Sequence, residues 1–139
     1  MGVYQGAGRG IKSREVVQLI VEAGLEGRAL ARARGLPVPE TFAVYLNTQG
    51  DLVISSSGAG TGLHAEDNVQ ATCLQQGIPF QGGRIVNYNF ENRYFIPSCD
   101  ECKIILEEHG PIRDMTDSFV EHNSLAMDIL REMGPSLSV

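Results

Sequence analysis

The sequence predicts an α/β fold in which helices cover both faces of a mixed β-sheet, giving three layers. Two observations favour this class: a β-hairpin pattern follows a helical pattern, and the rest of the chain then alternates helix, strand and helix. A chain of 139 residues is long enough for one hydrophobic core but not for two. We therefore expect a single domain over residues 1–139.

The N-terminal part is predicted to be a loop followed by helix. Four of the first ten residues are glycine, which favours a flexible lead-in over residues 1–12. From Ser13 apolar residues follow helical spacing up to Ala23, and Gly24 is a plausible end of that helix. A second helical piece is expected over about residues 26–34, before two prolines impose an extended connection.

The middle of the chain carries the strand patterns. Residues 42–46 and 52–54 flank a Thr-Gln-Gly-Asp turn, so they predict a hairpin. A flexible loop over 55–62 follows. The remaining elements are predicted, in chain order, as a helix over 64–76, a strand over 84–88, a loop over 89–98, a helix from Cys99 to Gly110, a short strand starting at Ile112 and a final helix over about 117–133.

The net charge of −6 is unevenly distributed. Residues 1–63 balance to +1, whereas residues 64–139 balance to −7. An acidic protein is a poor general binder of nucleic acid, so any such contact surface should draw on the basic residues of the N-terminal half. These residues are Arg9, Lys12, Arg14, Arg28, Arg32 and Arg34.

The sequence shows no signal peptide and no apolar run of roughly 18 residues that would span a membrane, so we expect no membrane partner. Three cysteines are an odd number in a short chain. If two of them bind metal, Cys73 is left unpaired, which indicates a reducing compartment rather than a disulfide scaffold.

Two short segments indicate a single metal site. His64, Cys99 and Cys102 offer one imidazole and two thiolates, which are ligands that zinc prefers. Each segment lies where a loop enters a predicted helix, and a helix N-terminus favours the deprotonated thiol. Three protein ligands leave the fourth position of a Zn²⁺ ion open for water. Glu66, two residues from the histidine, is then placed to move protons without binding the metal.

Two other interpretations of these residues remain open. A purely structural zinc site needs four protein ligands, and the candidates for the fourth are Cys73, His109 and His122. Cys73 is better interpreted as a small core residue, since it lies about two helical turns beyond Glu66. The third interpretation is a chance pairing of the two motifs.

The combined pattern, His64-Ala65-Glu66 with Pro97-Ser98-Cys99-Asp100-Glu101-Cys102, resembles the cytidine-deaminase-like superfamily. The resemblance covers the elements from about Phe42 to Gly110 and implies the three-layer fold of that superfamily. It implies zinc on His64, Cys99 and Cys102, with Glu66 as the proton shuttle. The chain departs from the usual Pro-Cys step at one point, because Ser98 stands between Pro97 and Cys99.

The chain also resembles, more narrowly, the deaminase domains of bacterial polymorphic toxins, through its size, its Gly-rich lead-in and its His-Ala-Glu-Asp-Asn segment. That resemblance implies a secreted effector that acts in the cytoplasm of a target cell, with single-stranded nucleic acid as substrate and a cognate immunity protein as partner. If the chain is not a toxin domain, a cytoplasmic location is expected.

Six residues near the motifs are candidate substrate contacts. Asn47 closes the first hairpin strand and either contacts the ligand or shapes the turn. Asn87, Tyr88 and Phe90 end the strand before the cysteine helix, where open sheets bind ligands, and the two aromatic rings either stack on bases or pack in the core. Ala65 and Ser98 adjoin the predicted metal ligands.

Three functions are consistent with these features. The first is hydrolytic deamination of cytosine in single-stranded nucleic acid, with DNA favoured, by an enzyme of bacterial toxin type. The second is deamination of a free base, nucleoside or nucleotide, for which an acidic surface is no handicap. The third is a non-catalytic binding domain that zinc stabilises.

Overall fold

The computed structural model describes residues 2–58, 62–109 and 111–137. Residues 59–61 of the expected loop and Gly110, the expected end of the cysteine helix, lie outside this part. None of the described helices is both long enough and apolar enough to cross a membrane. The elements, in chain order, are β1 (Gly2–Tyr4), α1 (Ser13–Ala33), β2 (Thr41–Leu46), β3 (Leu52–Ser56), α2 (Ala65–Gln76), β4 (Arg84–Asn89), β5 (Tyr94–Phe95), α3 (Asp100–Glu108), β6 (Arg113–Asp114), α4 (Thr116–Phe119), a 3₁₀ turn (Val120–His122) and α5 (Asn123–Leu137).

The strands form one mixed sheet in the order β1-β3-β2-β4, followed by two short strands on the far edge of β4. The predicted hairpin is confirmed, since β2 and β3 pair antiparallel from Phe42–Ser56 to Leu46–Leu52. β6 pairs parallel with the beginning of β4, and β5 pairs antiparallel with its end. This parallel pair among antiparallel ones makes the sheet mixed, as the sequence predicts.

Helices cover both faces of the sheet, because side chains of a strand alternate between its faces. Phe42 and Val44 of β2 pack with apolar residues of α1, α4 and α5. Ala43 and Tyr45 of the same strand pack with residues of α2 and α3. The arrangement is that of an α/β protein with helices on either side of an open sheet, and it is compatible with three layers.

The N-terminal segment differs from the prediction of a flexible lead-in over residues 1–12. Gly2–Tyr4 form the edge strand β1, which pairs antiparallel with residues 52–54 of β3. Gly8 then approaches the hairpin turn and donates a backbone hydrogen bond of 2.9 Å to the carbonyl of Gly50. The glycines therefore serve a short edge strand and a close turn.

Helix α1 also differs from the prediction, since it runs unbroken through Gly24. Gly24 is buried inside the helix, and a Cβ at this position would overlap the ring of Phe90. The glycine thus permits close packing between α1 and the segment after β4 rather than ending the helix. Tertiary packing outweighs the cost of about 1 kcal/mol that glycine brings to a helix interior.

The predicted final helix over residues 117–133 is divided. Helix α4 starts at Thr116 because Asp114 accepts hydrogen bonds from the backbone and hydroxyl of that threonine. A 3₁₀ turn then leads to α5. Asn123, at the start of α5, accepts a hydrogen bond of 3.1 Å from the backbone of Phe95, which ties the interruption to β5.

Candidate metal centre

The sequence places one predicted ligand immediately before each of two helices that lie on the same face of the sheet. His64 is the N-cap of α2 and Cys99 is the N-cap of α3. The start of α2 is fixed by Asp67, whose carboxylate accepts a 2.9 Å hydrogen bond from the backbone of His64. Cys102 lies in the first turn of α3, on the side that Cys99 faces.

These three residues are brought together as the sequence predicts. His64 Nδ1 lies 3.2 Å from Cys99 Sγ and 3.3 Å from Cys102 Sγ. The ligand atoms of all three lie within 4.8 Å of one another, so the group can hold a metal ion. Cys102 is buried, whereas His64 and Cys99 are exposed, so the cluster is reached from the solvent.

The electrostatic surroundings of the cysteines favour a bound cation. Burial raises the pKa of the Cys102 thiol, and the negative charges of Glu66 and Asp67 together with the neighbouring Cys99 raise it further. Without a cation, these surroundings favour the neutral thiol over the thiolate. A divalent metal reverses this preference, because it replaces the proton as the positive charge next to the sulfur.

No further His, Cys, Asp or Glu joins the cluster among the residues that the structure describes. Cys73 lies in the core beneath α2, where burial raises the pKa of its thiol to about 11. The His109 ring contacts Gln70 at 3.0 Å, and His122 lies 3.7 Å from Glu121. The three candidates for a fourth protein ligand are thus engaged elsewhere, which leaves one position of a four-coordinate ion open.

Glu66 occupies the first turn of α2, beside the cluster. Its side chain is buried, with 4 % exposure, and it makes no hydrogen bond to any other described residue. It lines the same cavity as His64 and Cys99. A buried carboxylate without a protein partner is available to a ligand and is suited to accept and release a proton.

A cavity of about 550 Å³ opens over the cluster at the end of the sheet where β2 begins and β4 ends. Its charged lining is acidic: Glu40 and Glu66 contribute, and no Lys or Arg is found among the described lining residues. Glu40 belongs to the proline-containing connection, where the sequence shows no signal for a site. The lining residues are Val38, Glu40, Thr41, Ser57, Gly58, Gly62, Leu63, His64, Ala65, Glu66, Asn87, Ile96, Pro97 and Cys99.

Two of the six predicted substrate contacts line this cavity, and a third lies next to its wall. Ala65 and Asn87 line it, and Asn87 donates a 3.1 Å hydrogen bond from Nδ2 to the hydroxyl of Ser98. Ser98 lies behind the wall, where its backbone N–H donates a hydrogen bond of 2.7 Å to the carboxylate of Asp114. Asp114 follows Ser98 by 16 residues, so no local sequence pattern indicates its role.

The other three predicted contacts lie elsewhere. Asn47 shapes the hairpin turn, where its Oδ1 accepts hydrogen bonds of 2.9 Å from the backbone of Gln49 and of Asp51. Tyr88 and Phe90 belong to the core on the opposite face, beneath α1 and α5. The centroids of the two rings are 4.9 Å apart and the rings meet edge to face, so they pack against each other in the core rather than against a ligand.

One of the basic residues expected to contact nucleic acid is also committed to the fold. Arg28 is buried, donates to the carbonyl of Pro39 and pairs with Glu91 at 3.1 Å. Its guanidinium also lies over the ring of Phe90, 5.6 Å from the centroid. The other five basic residues of the N-terminal half are exposed: Arg9, Lys12, Arg14, Arg32 and Arg34.

Comparison with known proteins adds no assignment. No model of a known protein family matches the chain, and no curated protein sequence matches it either. The functional interpretation therefore rests on the residues and geometry of the cavity.

Proposed function

We propose that this chain is a zinc-dependent hydrolytic deaminase of a nucleobase. The observation that carries the proposal is the combination of a three-ligand His-Cys-Cys cluster with a buried, unpartnered carboxylate at one cavity. The donor set of one imidazole and two thiols suits zinc, and three ligands are typical of a catalytic rather than a structural site. His64, Cys99 and Cys102 would hold the ion.

Zinc, when bound, supplies an activated water near neutral pH. The residues of the chain would then do two things. Glu66 would take a proton from the attacking water and deliver it to the ring nitrogen next to the amino-bearing carbon, where it stays in the product. Glu66 would then carry the second proton of that water from the new hydroxyl group to the amino group, which leaves as ammonia. The side chain of Glu66 lines the cavity, so its carboxylate can meet a substrate bound there.

For the substrate, we propose cytosine in single-stranded nucleic acid, with DNA favoured and a toxin-type effector with a cognate immunity protein as the biological setting. The resemblance in the motif residues supports this choice. The exposed basic residues of the N-terminal half support it as well, since they can contact phosphates outside the cavity.

A free nucleoside or base is the second candidate substrate. The acidic lining of the cavity favours it, because Glu40 and Glu66 would repel a phosphate that entered together with the base. The part of the substrate inside the cavity is thus expected to be uncharged under either proposal.

The decisive test compares the zinc-loaded wild type with Glu66→Gln. Glu66→Gln keeps the shape of the side chain but cannot shuttle a proton, so we expect deamination to fall by a factor of about 10² or more. Labelled single-stranded DNA, RNA and free cytidine serve as substrates, and metal analysis verifies that the variant retains zinc. Glu107→Gln, an exposed glutamate of α3, is the matched control and should keep full activity.

Each outcome of this test has a clear meaning. Product from DNA or RNA supports the first substrate, and product only from cytidine replaces it with the second. Equal, measurable deamination by Glu66→Gln and wild type, with zinc bound, contradicts the role of Glu66. No deamination of any of the three substrates by the zinc-loaded wild type contradicts the enzyme and leaves a non-catalytic zinc domain. In cells that express the protein, C-to-T changes in the DNA should depend on Glu66.

A further inference from the structure

We infer that Asn87 is a specificity-determining residue whose amide oxygen accepts a hydrogen bond from a neutral N–H or O–H group of the substrate. The reaction itself is the one proposed above, and this inference adds the group that recognises its substrate. The fold buries one polar atom of Asn87 at the cavity and leaves it without a partner among the described residues.

Asn87 lies in β4 on the face that carries α2 and α3, and the residue is 2 % exposed. It lines the cavity together with Glu66 and Cys99. Its Oδ1 is buried and has no hydrogen-bond partner among the described residues. Buried polar atoms are nearly always paired in proteins, so an unpaired acceptor in the wall of a cavity indicates a ligand that supplies the donor.

The orientation of this amide is set by a closed ring of hydrogen bonds. Asn87 Nδ2 donates to Ser98, whose backbone N–H donates to Asp114. The other oxygen of the Asp114 carboxylate accepts a hydrogen bond of 2.6 Å from the Thr116 hydroxyl. That hydroxyl in turn accepts a hydrogen bond of 3.4 Å from the backbone N–H of Asn87, which closes the ring. In this arrangement the amide nitrogen bonds Ser98, and the amide oxygen is the atom left for a ligand.

The ring also gives a role to the residue at which the motif departs from the Pro-Cys pattern. Ser98 stands between Pro97 and Cys99 and is buried, with 4 % exposure. Its hydroxyl is the acceptor that holds the Asn87 amide. Ser98 is thus a positioning residue, and the insertion links the cysteine loop to the cavity wall.

The chemistry of the acceptor limits what it can bind. Oδ1 needs a donor, and the acidic lining disfavours an anionic group. The donors of the proposed nucleobase or nucleoside substrate are neutral N–H and O–H groups. Two parts of a nucleoside offer one: the amino group of the base and a hydroxyl of the sugar. Deamination replaces the amino donor with a carbonyl acceptor, which Oδ1 would repel.

The test compares Asn87→Ala with Asn89→Ala in the zinc-loaded protein. Asn89 is a buried asparagine on the same face of the same strand, but it bonds the backbone of Asn92 and does not line the cavity. We expect kcat/KM for deoxycytidine to fall about tenfold to a hundredfold in Asn87→Ala, since the loss of a substrate hydrogen bond has this size. Asn89→Ala should stay within about threefold of wild type because it touches no substrate.

Two further measurements make the result specific. If the donor is on the base, Asn87→Ala lowers kcat/KM for free cytosine as much as for deoxycytidine; if it is on the sugar, the loss disappears with free cytosine. Ser98→Ala removes the hydrogen bond between Ser98 and the Asn87 amide without changing Asn87 itself. We expect this variant to raise KM more than it lowers kcat. It replaces Asn87→Ala as the test if Asn87→Ala does not fold.

Binding without turnover separates this inference from the proposed function. In zinc-loaded Glu66→Gln, calorimetric titration with deoxycytidine should show weaker binding when Asn87→Ala is added, even if the wild type deaminates nothing. Equal effects of Asn87→Ala and Asn89→Ala on binding and on kcat/KM, with zinc retained in both, would overturn the role of Asn87.

Discussion

Two buried tyrosines in neighbouring strands differ in what their hydroxyl groups contact. The Tyr45 hydroxyl donates to the carbonyl of Gly82 at 2.9 Å and accepts from the backbone of Gln81 at 3.1 Å. The Tyr88 hydroxyl is buried and finds no partner among the described residues. Burial raises the pKa of each phenol to about 12, so both remain neutral at physiological pH.

The effect of removing each hydroxyl should therefore differ. Tyr45→Phe removes two hydrogen bonds to the backbone of Gln81 and Gly82, which are not buried and can bond water instead. We therefore expect it to lower the free energy of unfolding by about 1 kcal/mol. Tyr88→Phe removes a desolvated group that bonds nothing, so we expect no loss and a gain of up to about 1 kcal/mol. Urea denaturation of both variants measures this. A larger loss for Tyr88→Phe than for Tyr45→Phe would contradict the assignment of their contacts.

The residues of the metal centre were predictable because their pattern is local. Cys99 and Cys102 are three residues apart at the start of a helix, and this spacing places them on one side of its first turn. His64 and Glu66 were found through the short His-x-Glu pattern at a loop-to-helix junction rather than through helical spacing. Tyr88 was misplaced as a substrate contact for a physical reason. It follows Asn87 in a strand, and consecutive residues of a strand point to opposite faces, so both cannot face the same cavity.

At the scale of elements, Gly24 shows how packing decides what a helix tolerates. Alanine at this position would gain about 1 kcal/mol in helix propensity. Its Cβ would overlap the ring of Phe90, and such overpacking costs about 1–3 kcal/mol. We therefore expect Gly24→Ala to lower the midpoint of thermal unfolding, as measured by circular dichroism.

A second substitution checks the cause of that loss. Phe90→Leu shortens the side chain that the new Cβ would meet, so the double variant should be more stable than the sum of the two single changes predicts. If Gly24→Ala is as stable as the wild type, the ring of Phe90 moves aside freely and the contact does not restrict the helix.

The hairpin, α2 and β4 were predictable because each is a regular pattern that ends in a clear signal. Gly77, for example, ends α2 in the left-handed conformation with φ of 67°. The three-residue strand β1 and the two-residue strand β5 were not predictable. A strand this short has no measurable period, and it exists because β3 and β4 offer free edges.

At the scale of the whole molecule, the order of the strands brings distant segments to one end of the sheet. β2 lies between β3 and β4, so the start of β2 lies beside the end of each neighbour. The starts of α2 and α3 converge there on one face. The candidate metal ligands come from two segments, with His64 and Cys99 separated by 35 residues in the chain. A third segment contributes to the cavity wall.

Because the metal would join α2 to α3, its binding should stabilise the folded protein as a whole. An ion that binds only the folded state adds about 2.7 kcal/mol to the free energy of unfolding at a free concentration a hundred times its Kd. We expect zinc to raise the thermal midpoint of the wild type and a chelator to reverse the rise. Cys102→Ser should lose most of this increase, since it removes the buried ligand.

Cys73→Ala is the control for this measurement. Cys73 lies in the core and takes no part in the cluster, so its replacement lowers the starting midpoint through a cavity but leaves the zinc-dependent increase intact. An increase of equal size in the wild type and in Cys102→Ser would mean that the ion binds elsewhere. An increase lost in Cys73→Ala would place that thiol among the ligands, and the fourth position of the ion would then be closed to water.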